Sequence, residues 1–203
     1  MRHPVSSIRH VNKPIYLFLR KILKILIKPV LRLFKGLTIV GKENLPGPGR
    51  SCMIIANHAA FFDSIYIICA VGPRFTICGA KPKYFNSRIK RFVFKIANII
   101  KVVDKNQFLE DCRILLESGE IILIYPEMGR NHGGLGAFKT WAAEVALLYR
   151  VSVIPCYIYG TTANQNGAKR VIFGAPIDPC GTPDELTRCF RERILGLKPG
   201  ATN

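Results

Sequence analysis

Three runs, "SCMIIAN" (51–57), "IILIYPE" (121–127) and "VSVIPCYIYG" (151–160), are apolar almost without a break. A strand with one face in water alternates apolar and polar residues, so runs like these suit strands covered on both sides. Between and around them lie segments that read as helices: "DSIYIICAV", "SRIKRFVFKIANII", "NQFLEDCRILLESGE", "KTWAAEVALLYR" and "TPDELTRCFRERIL". Further strands are expected in "GLTIVG", "RFTICGA" and "KRVIFGAPI". Strands alternating with helices predict an α/β fold, a mostly parallel central sheet flanked by helices. Turn chemistry supplies the boundaries. Asp63 is expected to open its helix, Asn106 to cap the next and Gly119 to stop it. Thr182, Pro183 and Glu185 form a capping box with proline at the first helical position. Pro155 lacks an N–H inside an apolar strand, which marks an edge or a special bend. With 203 residues, 49% of them apolar, one domain with a real core is expected.

Charge narrows the possible partners. The chain carries 30 Lys and Arg against 13 Asp and Glu, a net +17. Residues 1–50 hold 11 of the basic residues and one acid, Glu43. An excess this large implies an anionic partner: a membrane surface, nucleic acid or a phosphorylated substrate. The stretch 14–36, "PIYLFLRKILKILIKPVLRLFKG", separates these options. At about 100° per residue, Arg20, Lys21, Lys24, Lys28, Arg32 and Lys35 fall in one sector of roughly 120°, and the rest of the helix surface is apolar. Such a helix suits an anionic membrane interface. Its charges interrupt every apolar run, so neither a membrane span of about 20 residues nor a secretory leader is expected. Pro29 is expected to kink this helix or to begin a second. Residues 1–36 are therefore read as a basic amphipathic membrane-association segment and 37–203 as the second unit. Nucleic acid is not expected, because the densest charge is backed by an apolar face rather than interleaved with exposed aromatics.

Seven cysteines, at 52, 69, 78, 112, 156, 180 and 189, include no CxxC pair. They suggest neither disulfides nor a zinc framework, and read as small buried residues in a reducing compartment. His3, His10, His58 and His132 have no metal-ligand spacing, so no metal is implied.

Chemistry concentrates at strand ends. In "ANHAAFFDSIYI" (56–67) His58 follows an apolar strand and Asp63 comes five residues later. A turn can fold the carboxylate back onto one ring nitrogen, fixing the tautomer and freeing the other nitrogen as a base. The same spacing also fits a satisfied polar pair in a core. "YPEMGRNHGG" (125–134) follows another strand and offers Glu127, Gly129 and Arg130, which can bind a polar head group or phosphate. "VVDKN" (102–106) places Asp104 and Lys105 at a third strand end.

Taken in order, these blocks resemble the glycerolipid acyltransferase family, the PlsC-like 1-acylglycerol-3-phosphate acyltransferases. "NHAAFFD" matches its Asn-His-x4-Asp block, and "YPEMGRN" is similar to Phe-Pro-Glu-Gly-Thr-Arg-Ser. "VVDK" falls where the second block is expected, and "VSVIPC" and "VIFGAPI" resemble later segments. The resemblance spans roughly residues 37–178. It implies His58 as general base, oriented by Asp63. It implies Glu127, Gly129 and Arg130 at the acceptor site, Lys105 on the acceptor phosphate and Pro155 on the acyl-donor side. It implies acyl-CoA or acyl-carrier protein as co-substrate, with no cofactor, and a membrane-associated enzyme at the cytoplasmic face of the inner or plasma membrane. The acceptor it implies is a lyso-lipid hydroxyl, foremost 1-acylglycerol-3-phosphate. Met128 and Gly129 stand for the usual Gly-Thr, Asn131 for Ser, Lys105 for Arg and Thr140 for Gly. These departures keep open another head group, such as a lyso-amino-acid lipid or glycolipid, and an inactive lipid-binding relative.

Overall fold

The computed structural model describes residues 14–47, 49–71, 75–80, 82–131, 134–162 and 168–200. His3, His10 and His132 lie outside them. In chain order the elements are α1 (Pro14–Lys35), β1 (Thr38–Val40), β2 (Cys52–Ala56), α2 (Asp63–Ala70), β3 (Phe75–Ala80), α3 (Arg88–Ile96) and β4 (Ile99–Lys101). Then come α4 (Lys105–Glu117), β5 (Ile121–Ile124), α5 (Trp141–Tyr149), β6 (Val153–Tyr159), β7 (Arg170–Phe173) and α6 (Pro183–Gly196). Short 3-10 turns stand at Lys42–Asn44 and Pro82–Phe85.

The strands form one sheet in the order β1-β7-β6-β2-β5-β3-β4. All neighbouring pairs are parallel except β6 and β7. The fold is α/β, as the apolar runs predict, and β2 and β5 are buried along their whole length. Two apolar layers explain this. On one face Ile54, Ala56, Leu123, Tyr125 and Cys156 pack with Tyr66, Ile67 and Ala70 of α2. On the other, Met53, Ile55, Ile122 and Val153 pack with Phe108 of α4, Ala143 of α5 and Phe190 of α6. The first helix, α1, packs against α2 and α3.

One local expectation changes, and two open alternatives are narrowed. Asp104, not Asn106, caps α4: its Oδ1 accepts from the Gln107 amide at 2.9 Å, which leaves Asn106 inside the first turn. Of the two outcomes expected at Pro29, a kink or a second helix, the second does not occur, since one helix runs through it. Pro155 is not on an edge strand, because β6 lies between β7 and β2. Cys156 faces Phe173, but three residues upstream Val153 pairs with Ile177, four residues past Phe173. The extra residue opposite Pro155 makes a bulge, where the missing N–H is tolerated. The capping box of α6 is present in both halves.

Cys52, Cys69, Cys78, Cys112 and Cys156 are buried free thiols. Burial pushes Cys52 up to about 12, so it behaves as an inert small hydrophobe.

Candidate active site

Strands β2 and β5 are neighbours and parallel, with Ile55 opposite Ile124, so the residues that follow them emerge side by side. This is the carboxyl end of the sheet, where open α/β folds place ligands. Asn57 ends β2. Its side chain donates to the Ile158 carbonyl at 3.0 Å and accepts from the Ile158 amide at 2.7 Å. That two-point clamp on β6 fixes the next residue, His58.

The chain then turns sharply, and Asp63, fully buried, points back into the turn. Its Oδ2 accepts from the amides of Ala59 at 2.7 Å and Ala60 at 2.8 Å and lies 3.0 Å from His58 Nδ1. An ionised carboxylate has no hydrogen to give, so Nδ1 is the donor to Asp63, and a neutral ring in that tautomer keeps its lone pair on Nε2. The small residues Ala59 and Ala60 let both amides reach one carboxylate oxygen. Asp63 thus caps the turn before α2 rather than the helix itself, whose N-cap position, Phe62, makes no side-chain bond.

The imidazole lies on the ring of Tyr125, centroids 4.1 Å apart and planes 15° from parallel. The Tyr125 hydroxyl is 2.7 Å from Ser64 Oγ. Burial pushes the Tyr125 hydroxyl well above its usual range, so it stays neutral beside Ser64. Two contacts therefore set the ring, Asp63 in its plane and Tyr125 on its face.

Glu127 binds the site from below. Its Oε1 accepts from the His58 amide at 2.9 Å and its Oε2 from the Gly136 amide at 2.8 Å. Burial raises its carboxyl above the usual range, against the pull of those two hydrogen bonds. A Cβ at Gly136 would meet Asn131 Nδ2 at 2.5 Å and Glu127 Oε2 at 2.9 Å, so a larger residue there would push these two side chains aside. The Asn131 amide donates to the His58 carbonyl at 2.8 Å, closing the 125–131 loop over the 58–63 turn. Arg130, next to it, extends over Phe61 with its guanidinium 5.7 Å from the ring centroid. Gly129 borders open space, and it is Met128 that adopts the left-handed backbone, φ 53°.

His58, Asp63, Glu127 and Arg130 thus converge with Gly129 on one loop pair. Lys105 opens α4, which follows β4, three strands from β2 in the sheet, and its side chain is engaged by α5. Its Nζ is 2.6 Å from Glu144 Oε2, and Glu144 also accepts from Thr140 Oγ1 at 2.8 Å. Burial opposes ionisation of Glu144, but the Lys105 and Thr140 bonds outweigh it and lower its pKa. Tyr125, Ser64, Asn57 and Gly136 carry structural duties that sequence reasoning did not assign. Two of them carried a signal, Asn57 as the first residue of the Asn-His-x4-Asp block and Tyr125 as the first residue after a fully apolar strand. Among the described residues no group of His, Cys, Asp and Glu could hold a metal ion.

The family profile described as Acyltransferase matches residues 36–159, more than half of the sequence. The chain belongs to the acyltransferase family. A 1-acyl-sn-glycerol-3-phosphate acyltransferase of Chlamydomonas reinhardtii is 32% identical over 180 residues, 82% of this chain and 54% of the relative. A chloroplastic one of Brassica napus is 28% identical over 68% of this chain and 44% of its own length. A probable one of Mycoplasma pneumoniae is 27% identical over 70% and 61%. The chain thus spans about half of the length of these relatives. The fold is that of the crystal structure of PlsC, the 1-acyl-sn-glycerophosphate acyltransferase of Thermotoga maritima. The two superpose with a TM-score of 0.73 at 22% identity, covering 94% of this acyltransferase-family chain and 84% of that one.

Proposed function

We propose that this acyltransferase-family protein moves a fatty acyl group from a thioester to the hydroxyl of a lyso-lipid, with 1-acylglycerol-3-phosphate as the acceptor. The observation that carries this is His58, hydrogen-bonded through Nδ1 to a buried Asp63 that two amides also hold in place. Nε2 takes the proton of the acceptor hydroxyl as its oxygen attacks the thioester carbonyl. The tetrahedral intermediate collapses, the C–S bond breaks and the imidazolium returns the proton to the leaving thiolate. Asp63 stabilises the imidazolium between these steps. No enzyme nucleophile is needed.

Glu127 acts by position: it holds the His58 amide and shapes the 125–131 loop. Gly129 leaves room beside it, and Arg130 presents a planar fork to an anionic head group at the mouth of the site. Lys105 serves the acceptor phosphate only after leaving Glu144, whereas Arg130 already stands on the loop that Glu127 and Asn131 tie to His58. The donor is acyl-CoA or acyl-carrier protein. Residues 1–36 form the membrane-association segment and 37–203 the catalytic unit, working at the cytoplasmic face of the inner or plasma membrane. In support, α1 leaves Ile15, Phe18, Lys21, Ile22, Ile25 and Leu26 exposed. Among the described residues no helix is long and apolar enough to cross a membrane.

The test is a panel of lyso-lipids, lysophosphatidate among them, offered with labelled acyl-CoA and then acyl-carrier protein, with products read by mass. Phosphatidate formation that Arg130→Ala weakens through a raised KM is the expected result. A product only from an uncharged or amino-acid lyso-lipid would overturn the acceptor. Silence with both donors would leave a lipid-binding relative.

A further inference from the structure

The cationic excess of this chain has two sources. Residues 1–50 contribute a net +10. Between Asp63 and Asp104 there is no acid at all, while eight basic residues occur (Arg74, Lys81, Lys83, Arg88, Lys90, Arg91, Lys95 and Lys101). That stretch alone contributes +8, so everything outside the two segments nets −1 against a total of +17. Helix α3 lies at the centre of the second segment and packs on α1, the helix at the centre of the first. Fold topology has therefore brought the two positive segments together.

Among the described side chains of α3, Arg88, Arg91, Phe92 and Lys95 are exposed. At 3.6 residues per turn they share an arc of about 100°. Arg88 lies one turn before Phe92 and Lys95 nearly one turn after, so cations flank the phenylalanine along the axis. Phe92 is 59% exposed. Phe94, on another side of the helix, stacks edge-on against Phe85 at 5.1 Å, and α3 packs on β4, which fixes which face is left outward. A phenylalanine standing in water between cations gains nothing from the fold. In an anionic lipid interface the ring enters the acyl boundary while the cations meet head groups. Phe61 and Phe62, in the turn after His58, are exposed as well, and α2, which follows that turn, is the other helix that α1 packs against.

We propose that α3 is a second bilayer-contacting element. Its Arg88, Arg91, Phe92 and Lys95 face docks on an anionic lipid surface beside α1 and holds the mouth of the His58 site against that surface. This rests on the reading that the protein works at a membrane. A folded acidic partner, such as a carrier protein, would be drawn by the charge, but the continuity with the apolar side chains of α1 favours lipid.

The experiment measures co-sedimentation with phosphatidylcholine vesicles, with and without phosphatidylglycerol, for the wild-type chain and an Arg88→Gln/Arg91→Gln/Lys95→Gln variant. The variant's partition onto anionic vesicles should fall roughly tenfold or more, with none of that loss on neutral vesicles and an unchanged melting midpoint. In parallel, the Phe92→Trp variant should show a blue-shifted emission that brominated acyl chains quench. Wild-type partition by the triple variant, or an unquenched indole on protein that does sediment, would overturn the role of α3. Failure of the wild-type chain to sediment with anionic vesicles at all would remove the membrane reading itself. If the triple variant kept its vesicle partition but lost turnover with an acyl-carrier protein donor, the face would belong to the carrier protein and the proposal would be wrong.

Discussion

On one side of the sheet α1, α2 and α3 carry ten basic residues and a single acid, Asp63, which is buried against His58. On the other side α4, α5 and α6 carry five basic residues and seven acids. The second set answers its own charges. Arg113 lies 2.7 Å from both Glu110 and Glu117, Lys105 pairs with Glu144, and Glu185 closes the cap on Thr182. The first set has no comparable supply of acids. Apolar groups differ in the same sense: α6 buries Leu186, Phe190 and Ile194, whereas α1 and α3 leave Ile15, Phe18, Ile22, Ile25, Leu26 and Phe92 exposed. One helical layer completes the domain, and the other leaves cationic and apolar side chains outward, the groups that the proposed membrane contact would use.

Mutations sharpen that contrast. The largest stability effect belongs to the self-contained layer: Phe190→Ala, at a fully buried site, should lose about 3–5 kcal/mol in urea unfolding. Phe92→Ala on α3 should stay within about 0.5 kcal/mol. Equal losses would mean that α3 is as much a part of the folding core as α6. Next, Lys21→Glu on α1 should weaken partition onto anionic vesicles by roughly thirtyfold, since reversal counts for about two charges at about 1 kcal/mol each. Arg113→Gln on α4 should leave partition unchanged, and a comparable loss there would break the asymmetry. Tyr125→Phe, which removes the Ser64 bond from under the imidazole, should cost about 1 kcal/mol of stability and lower kcat several-fold with KM kept.

The smallest effect is a pH dependence. Burial holds the Glu127 carboxyl above its unfolded range. Such a group stabilises the fold fully below its unfolded pKa, and the contribution fades as pH rises through the folded value. Urea midpoints of the wild type should therefore decline relative to Glu127→Gln as pH climbs from the ordinary glutamate range. A gap that widened in the wild type's favour would reverse the sign assigned to Glu127.

Much of this was readable from the chain. Uninterrupted apolar runs announced strands buried on both faces, and Thr182 with Glu185 announced α6, because both signals are local. His58 and Asp63 were readable for the same reason: a five-residue turn is enough to join them. Asn57 was not given its role because its partner, Ile158, lies 101 residues away, and no spacing encodes that contact. Gly136 was missed likewise, since the crowding there arises only once the side chains of Asn131 and Glu127 fold beside it. Asp104 displaced Asn106 as the cap of α4 because either could bond an amide three residues on, and the sheet chose where the helix starts. Pro155 called for an edge or a special bend, and only the neighbours of β6 decide between them: the strand is interior and a one-residue bulge accommodates the proline.

The most direct test of the account is the initial rate of acyl transfer to lysophosphatidate on anionic vesicles, measured for wild-type and His58→Ala proteins of matched melting midpoint. A general base that carries the reaction predicts a fall of roughly 10²–10⁴-fold. A His58→Ala rate within twofold of wild type would contradict the assignment of the base and, with it, the reading of this strand end as the catalytic centre.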